Sequence, residues 1–116
     1  MSIQRLHTES RYSEIVIHNG TVYLAGQLAD DYEGDIERQT RETLASVERL
    51  LAEAGSDKSR LLSVTIYLKD MADYAAMNAV WDAWIVPGRA PARACVEAAL
   101  YDPRVLVEMS VVAALP

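Results

Sequence analysis

The last apolar stretch of the chain, residues 105–114, restricts the possible folds more than any other feature. Side chains alternate between the two faces of a strand, so both faces of this segment would be apolar. One face would carry Val105, Val107, Met109, Val111 and Ala113, and the other Leu106, Val112 and Ala114. The sheet that contains this strand therefore needs cover on both of its faces.

A tight hairpin is predicted near the N-terminus. Two β-rich runs within residues 13–26 flank the dipeptide Asn19-Gly20. Asn-Gly is the strongest short hairpin pattern, because both central residues of a type I′ turn need positive φ. We also expect a short edge strand over residues 3–6, ahead of the hairpin.

A long amphipathic helix is predicted over residues 36–54. Apolar residues recur there at helical spacing along one face, and the opposite face is charged. Asp35 precedes this segment as a plausible N-cap, and Gly55 fits the position that ends such a helix.

An interior strand and a second helix follow. Residues 61–68 predict a strand with Leu62, Val64, Ile66 and Leu68 on one face. The second helix is capped by either Asp70 or Asp73, carries a wide apolar stripe and ends at Pro87-Gly88. The stripe comprises Tyr74, Met77, Val80, Trp81, Trp84 and Ile85.

The order of these elements predicts an α+β fold in a single domain over residues 1–116. Two final strands, over residues 91–100 and 105–114, are joined by the turn-forming residues 101–104, which suggests an antiparallel hairpin. The complete pattern gives two layers: one mixed sheet of five to six strands and two helices on one face. Self-association would then cover the other face.

Composition and charge restrict the partners. The chain of 116 residues has a formal net charge of −6, and its basic residues are scattered, which disfavours nucleic acid as a ligand. Residues 1–7 hold no apolar run of signal-peptide length, and no apolar stretch is long enough for a membrane span. Cys95 is the only cysteine, which excludes an internal disulfide and fits a reducing cytoplasm.

The segment Pro91-Ala92-Arg93-Ala94-Cys95-Val96-Glu97 carries the most informative charge. As a strand, it would place Arg93, Cys95 and Glu97 on one face, so that a guanidinium lies in a small, apolar segment. An unpaired charge away from water is strongly unfavourable. Arg93 therefore needs either an internal partner, such as Glu97 or Glu108, or the carboxylate of a ligand.

The other candidate residues each have a structural alternative. Glu108 interrupts an apolar strand and is either the counter-ion of Arg93 or a poised carboxylate. Cys95 has no neighbouring histidine and is most simply a small buried hydrophobe. The structural alternatives for Tyr12, Gly26 and Asn78 are a surface aromatic residue, a strand end and a solvated helix residue.

Across the whole chain, the ordered motifs resemble the RidA/YjgF family of small enamine/imine deaminases. They include Gly26-Gln27, Gln39-Thr40, Asn78, Pro91-Ala92-Arg93 and Val107-Glu108. Segments 17–20 and 76–84 are most similar to the YoaB-like members. The resemblance implies a chorismate-mutase-like homotrimer with ligand clefts between subunits.

The resemblance also implies roles for individual residues. Arg93 would grip the substrate carboxylate, and Glu108 would position or deprotonate the attacking water. The backbone N–H of Cys95 would bind the ligand carboxylate. Tyr12, Gly26 and Asn78 would line the cleft, with the carbonyl of Gly26 facing the substrate.

The resulting hypothesis is hydrolysis of reactive 2-imino or 2-enamino acids to 2-oxo acids and ammonia, without metal or cofactor. An alternative is a non-catalytic protein of the same fold that binds or senses small carboxylates. A third, endoribonuclease activity, is disfavoured by the charge. The chain departs from the family pattern at Ala25, at Leu28-Ala29, at Ser10-Arg11 and at Ser46, which alters the cleft but retains the carboxylate-binding positions.

Overall fold

The structure is a computed structural model that describes residues 2–116. Met1, which belongs to the predicted domain and to the N-terminal segment 1–7 without a signal-peptide pattern, lies outside the described residues. Six strands form one mixed sheet in the order β1-β2-β3-β6-β4-β5, and two helices pack on one face. This confirms the predicted fold class. The elements are β1 (Gln4–Thr8), β2 (Ser13–His18), β3 (Thr21–Leu24), α1 (Ile36–Ala54), β4 (Leu61–Leu68), α2 (Tyr74–Trp84), β5 (Ala92–Glu97) and β6 (Val107–Ala114).

The N-terminal hairpin is confirmed. Asn19 and Gly20 form the two-residue turn between β2 and β3, and their φ angles of 52° and 74° are the positive values that a type I′ turn requires. β1 pairs antiparallel with β2 at the sheet edge, as expected, although it covers residues 4–8 rather than 3–6.

Helix α1 has the predicted bounds because both of its end signals are present. The Asp35 side chain accepts a hydrogen bond from the Arg38 backbone N–H at 2.9 Å, which caps the first turn. Gly55 adopts a left-handed conformation with φ 87°, and its N–H bonds back to Ala52. The face with Leu44, Val47 and Leu51 is buried against the sheet.

Neither of the two candidate aspartates caps helix α2 itself with its side chain. Asp70 accepts a hydrogen bond from the Ala72 N–H at 2.9 Å and caps a short 3-10 turn that leads into the helix. Asp73 makes no side-chain cap. The predicted apolar stripe is confirmed at Met77 and Trp81, whereas Tyr74 is 41% exposed.

The predicted hairpin between the last two strands is wrong. β5 pairs with β4 in parallel, and β6 pairs antiparallel with the other edge of β4. Helix α2 forms the crossover between β4 and β5, and such a crossover returns the chain in parallel. Residues 101–104 form a turn, but the strands that they connect lie on opposite sides of β4.

The prediction for one residue of β4 is also wrong. Leu62 was expected on the buried face, yet it is 48% exposed. The register shifts between Leu61 and Ser63, which marks a β-bulge, so Leu61 rather than Leu62 points into the core. From Val64 onward the predicted alternation holds.

The two faces of the sheet have different surroundings. The helix face of β6, with Val107, Met109, Val111 and Ala113, is buried in the core. On the other face, here called the open face, the apolar side chains of Tyr23 and Val96 are exposed and Val112 is partly exposed. The prediction that β6 is apolar on both faces holds only in part, because Glu108 and Ser110 share the open face with Val112 and Ala114, and Leu106 lies before the strand begins. No helix among residues 2–116 is long and apolar enough to cross a bilayer.

A buried glutamine fixes the start of β6. The Gln39 side-chain amide lies within hydrogen-bond distance of the carbonyls of Tyr32, Gly34 and Arg104, and its oxygen accepts from the Leu106 N–H at 2.9 Å. These bonds join the loop after β3 to the segment before β6. They therefore hold Glu108, two residues further on, in a fixed position.

Candidate functional site

The Arg93 guanidinium is held by three side chains of helix α2. Nη1 donates to Oδ1 of Asn78 at 2.8 Å, and Nη2 donates to the Tyr74 hydroxyl at 3.3 Å. The guanidinium carbon also lies 5.2 Å from the centre of the Trp81 ring. Tyr74 and Asn78 are four residues apart, so they project from the same helix face.

No carboxylate pairs with Arg93 among the described residues. Glu97 instead accepts a hydrogen bond from the Met71 backbone N–H at 2.9 Å. Of the two alternatives for Arg93, the structural ion pair with Glu97 or Glu108 is therefore wrong for the single chain. Every side chain that holds Arg93 is neutral, so its positive charge remains available to an anion.

Arg93 borders a pocket of about 430 Å³ that is also lined by Met71, Tyr74 and Cys95. The Cys95 side chain is half-buried and packs against the core, close to its expected role as a small hydrophobe. Burial raises the pKa of its thiol, while the nearby Arg93 charge lowers it to a smaller extent. A thiol with a raised pKa is a poor nucleophile at neutral pH.

The backbone N–H of Cys95 points away from the sheet. β5 is an edge strand, and the Ala98 N–H bonds to the Leu68 carbonyl at 2.9 Å. In a parallel pair only alternate residues direct their N–H toward the neighbouring strand. Those of residues 94, 96 and 98 face β4, and that of Cys95 faces the open edge beside Arg93.

Glu108 lies on the opposite face of the sheet from Arg93. It pairs with Tyr67 on the open face, whereas Arg93 pairs with Val64, whose side chain is buried under the helices. Tyr67 and Val64 are three residues apart, which is roughly 10 Å along the strand. Burial raises the pKa of the Glu108 carboxyl.

Gly26 leaves the space that the Glu108 side chain occupies. A Cβ at residue 26 would overlap the Glu108 Oε2 atom. Any larger residue would displace the Glu108 carboxylate from this position, and the reason is that close approach rather than a positive φ. Its carbonyl accepts no hydrogen bond from the described residues and is therefore free for a ligand.

A buried polar chain holds Gly26 against Glu108, and the sequence did not identify it. The Gln27 backbone bonds in both directions with Met109, at 2.9 and 3.0 Å. Its side chain donates to the Ala25 carbonyl and accepts from the Ser46 hydroxyl at 2.7 Å. From the sequence, Gln27 was named only as part of the Gly26-Gln27 motif, and Ser46 only as a departure from the family pattern. Neither observation predicted the hydrogen bond between them.

Tyr12 lies just before the start of β2. It is 53% exposed in the turn that leads into β2, and the Ala25 N–H bonds to Glu14 at the start of that strand. Arg93, Asn78 and Cys95 form one cluster, here called the arginine cluster. Glu108 and Gly26 form a second, the glutamate cluster. Within residues 2–116 no hydrogen bond joins the Tyr12 side chain to either cluster, so its predicted place in the cleft stays a prediction.

A further surface groove lies away from both clusters. It has a volume of about 600 Å³ and runs between α1 and α2, where Leu44, Val80 and Trp84 line it. The charged residues that line it pair with one another, so it offers a ligand no unpaired charge like that of Arg93. Within residues 2–116, no three His, Cys, Asp or Glu side chains converge as a metal site would require.

Comparison with known proteins decides the family. The family model described as Endoribonuclease L-PSP matches residues 2–115. The chain therefore belongs to the Endoribonuclease L-PSP family. The RutC family protein YoaB of Escherichia coli K12 is 45% identical over 115 residues, which are 99% of this chain and 100% of YoaB. A RutC family protein of Haemophilus ducreyi is 43% identical over 113 residues, 97% of either chain.

Solved structures agree with this assignment to the L-PSP family. A crystal structure of a YjgF family member from Neisseria meningitidis has a TM-score of 0.97 and 48% sequence identity. The match covers 100% of this chain and 97% of that chain. The resemblance to the RidA/YjgF family and to its YoaB-like members is thus confirmed for this L-PSP protein.

Proposed function

We propose that this protein hydrolyses 2-imino or 2-enamino acids to 2-oxo acids and ammonia. The observation that carries the proposal is the state of Arg93, a half-buried cation held only by neutral groups beside a pocket. Two of its five N–H donors are used by Asn78 and Tyr74, so three remain for a ligand. A planar fork of donors suits a carboxylate.

Glu108 would act on the attacking water. Its carboxylate accepts a proton as the water oxygen bonds to the imine carbon, and that proton passes to the nitrogen to give a carbinolamine. The C–N bond then breaks as the hydroxyl proton of the carbinolamine is transferred to the leaving nitrogen, so that the carbonyl forms and ammonia departs. One imino acid and one water molecule are consumed, and one 2-oxo acid and one ammonia are formed. A raised pKa makes Glu108 a stronger base than an exposed carboxylate. The free carbonyl of Gly26 would accept a hydrogen bond from the substrate.

The proposed site is formed by two subunits of a homotrimer. The two clusters face opposite sides of one sheet, so a single chain cannot bring Arg93 and Glu108 to one small ligand. The open face is apolar enough to need cover, and a second copy of the chain is the simplest cover. The arginine cluster of one subunit would then meet the glutamate cluster of its neighbour.

The alternative function, binding of small carboxylates without catalysis, would need only the arginine cluster. The coupled assay described next distinguishes binding alone from turnover. Endoribonuclease activity has less support, although the family model has that description. Arg38, Arg41, Lys58 and Arg104 each pair with a carboxylate, so they do not form a free basic surface.

A coupled assay tests the proposed reaction. A threonine dehydratase generates the imine, and release of 2-oxobutyrate is timed with and without the purified protein. The proposal predicts faster release with the parent protein and no acceleration with Arg93→Ala. If the protein binds 2-oxobutyrate but does not accelerate its release, with several amino-acid precursors, the binding-only alternative is correct.

A further inference from the structure

We infer that Tyr74 is a ligand-binding residue whose hydroxyl donates a hydrogen bond to the carboxylate on Arg93. The inference rests on the proposed function, because it assigns one more donor to the same carboxylate. None of the motifs that identified the site includes Tyr74, which the sequence predicted only as part of an apolar helix stripe.

The hydrogen bond to Arg93 determines which role remains for the Tyr74 hydroxyl. A guanidinium has donors and no acceptor, so in the 3.3 Å contact the phenol oxygen is the acceptor. The phenol proton must therefore point elsewhere. Within residues 2–116 no group accepts it.

The location of Tyr74 directs that proton toward the pocket. Tyr74 lines the same 430 Å³ pocket as Arg93, and 41% of the residue is exposed. Nη2 keeps one N–H that is not used by Tyr74. A carboxylate oxygen bound to that N–H lies next to the phenol and can accept its proton too. Arg93 and Tyr74 would thus bind one carboxylate with charge-assisted hydrogen bonds.

A purely positioning role makes a different prediction. If Tyr74 only accepted from Arg93, a less basic phenol oxygen would hold the guanidinium less well and ligand affinity would fall or stay constant. If Tyr74 donates to the ligand, a more acidic phenol would strengthen the bond and raise the affinity. The two roles therefore predict effects of opposite sign.

Calorimetric titration with 2-oxobutyrate provides the test. Tyr74→Phe should weaken binding roughly tenfold, the scale of one hydrogen bond to a charged group, with an unchanged melting temperature. A variant with 3-fluorotyrosine at position 74 should bind 2-oxobutyrate more tightly than the parent protein does. The titration is run at a pH where the fluorophenol is still neutral. Tyr101→Phe is the control, since its hydroxyl bonds to Tyr32 and lies outside the pocket.

The outcomes separate this inference from the proposed function. If Arg93→Ala loses binding but Tyr74→Phe binds like the parent, Tyr74 does not contact the ligand and the proposed function stands. Equal or weaker binding by the fluorotyrosine variant also overturns the donor role. If the parent protein does not bind 2-oxobutyrate, both the inference and the proposed carboxylate site are wrong.

Discussion

Arg93 and Glu108 lie on opposite faces of one sheet, with strand β4 between their own strands. Arg93 faces helix α2, and Glu108 lies on the open face beside Gly26. Neither residue is the partner of the other, and each borders space that a ligand or another subunit can fill.

Asn78→Asp should abolish carboxylate binding without unfolding the protein. The new carboxylate would lie about where Oδ1 of Asn78 accepts from Arg93, at 2.8 Å, and would neutralise the guanidinium. We expect affinity for 2-oxobutyrate to fall by at least about tenfold while the melting temperature is retained or rises. Asn19→Asp makes the same charge change in a turn that tolerates aspartate, and it should bind normally. Undiminished binding by Asn78→Asp would contradict the role of Arg93.

Glu108→Gln should lower turnover by roughly 10²- to 10⁴-fold, the usual contribution of a general base, with little effect on 2-oxobutyrate binding. In the parent protein, the activity should decline as the pH falls through the raised pKa of Glu108, above the range of an ordinary glutamate. Rate measurements across pH, with Glu97→Gln as the control that keeps this acid limb, test the assignment. An acid limb that persists in residual Glu108→Gln activity would show that another group titrates.

The same residue should affect stability in a pH-dependent way. A carboxyl whose pKa is raised by burial contributes most favourably below its unfolded pKa, where it is protonated in both states. The contribution is lost as the pH rises through the folded pKa. Glu108→Gln should therefore melt higher than the parent at neutral pH, and this difference should vanish in acid. Thermal melts at both pH values check the sign.

Gly26→Ala should impair catalysis more than stability. The added methyl group would overlap the Glu108 carboxylate and displace it from its present position. Gly20→Ala is a matched control, because Gly20 has open space around it but a φ of 74°. That variant should lose about 1 kcal/mol of unfolding free energy and keep its turnover. Normal turnover by Gly26→Ala would show that the position of Glu108 is not critical.

Local features explain why much of the fold could be predicted. The Asn19-Gly20 turn and the bounds of α1, set by Asp35 and Gly55, depend on residues that are close in sequence. Strand pairing depends on contacts between distant residues. The turn at 101–104 therefore suggested a hairpin, and nothing local showed that β4 would lie between β5 and β6.

The site was predictable as a set of residues but not as an arrangement. Arg93 and Glu108 stand out because each is a charge in an apolar strand. Their relative faces depend on the parallel register of β5 and the antiparallel register of β6 against β4, which the sequence pattern does not specify. Tyr74 could have been associated with Asn78 by their four-residue spacing. Gln27 and Ser46 form their bond only through tertiary packing.

Complementation between two variants tests whether the active site combines Arg93 of one subunit with Glu108 of its neighbour. Arg93→Ala and Glu108→Gln proteins, each inactive alone, are unfolded together in equal amounts, refolded and assayed for 2-oxobutyrate release from the imine. In a random mixture of cyclic trimers, every mixed trimer contains one site with both residues intact, so about a quarter of the sites become active. A site shared between subunits therefore predicts recovery of about a quarter of the parent activity. Continued inactivity of the mixture, with mixed trimers demonstrated by mass, would contradict it.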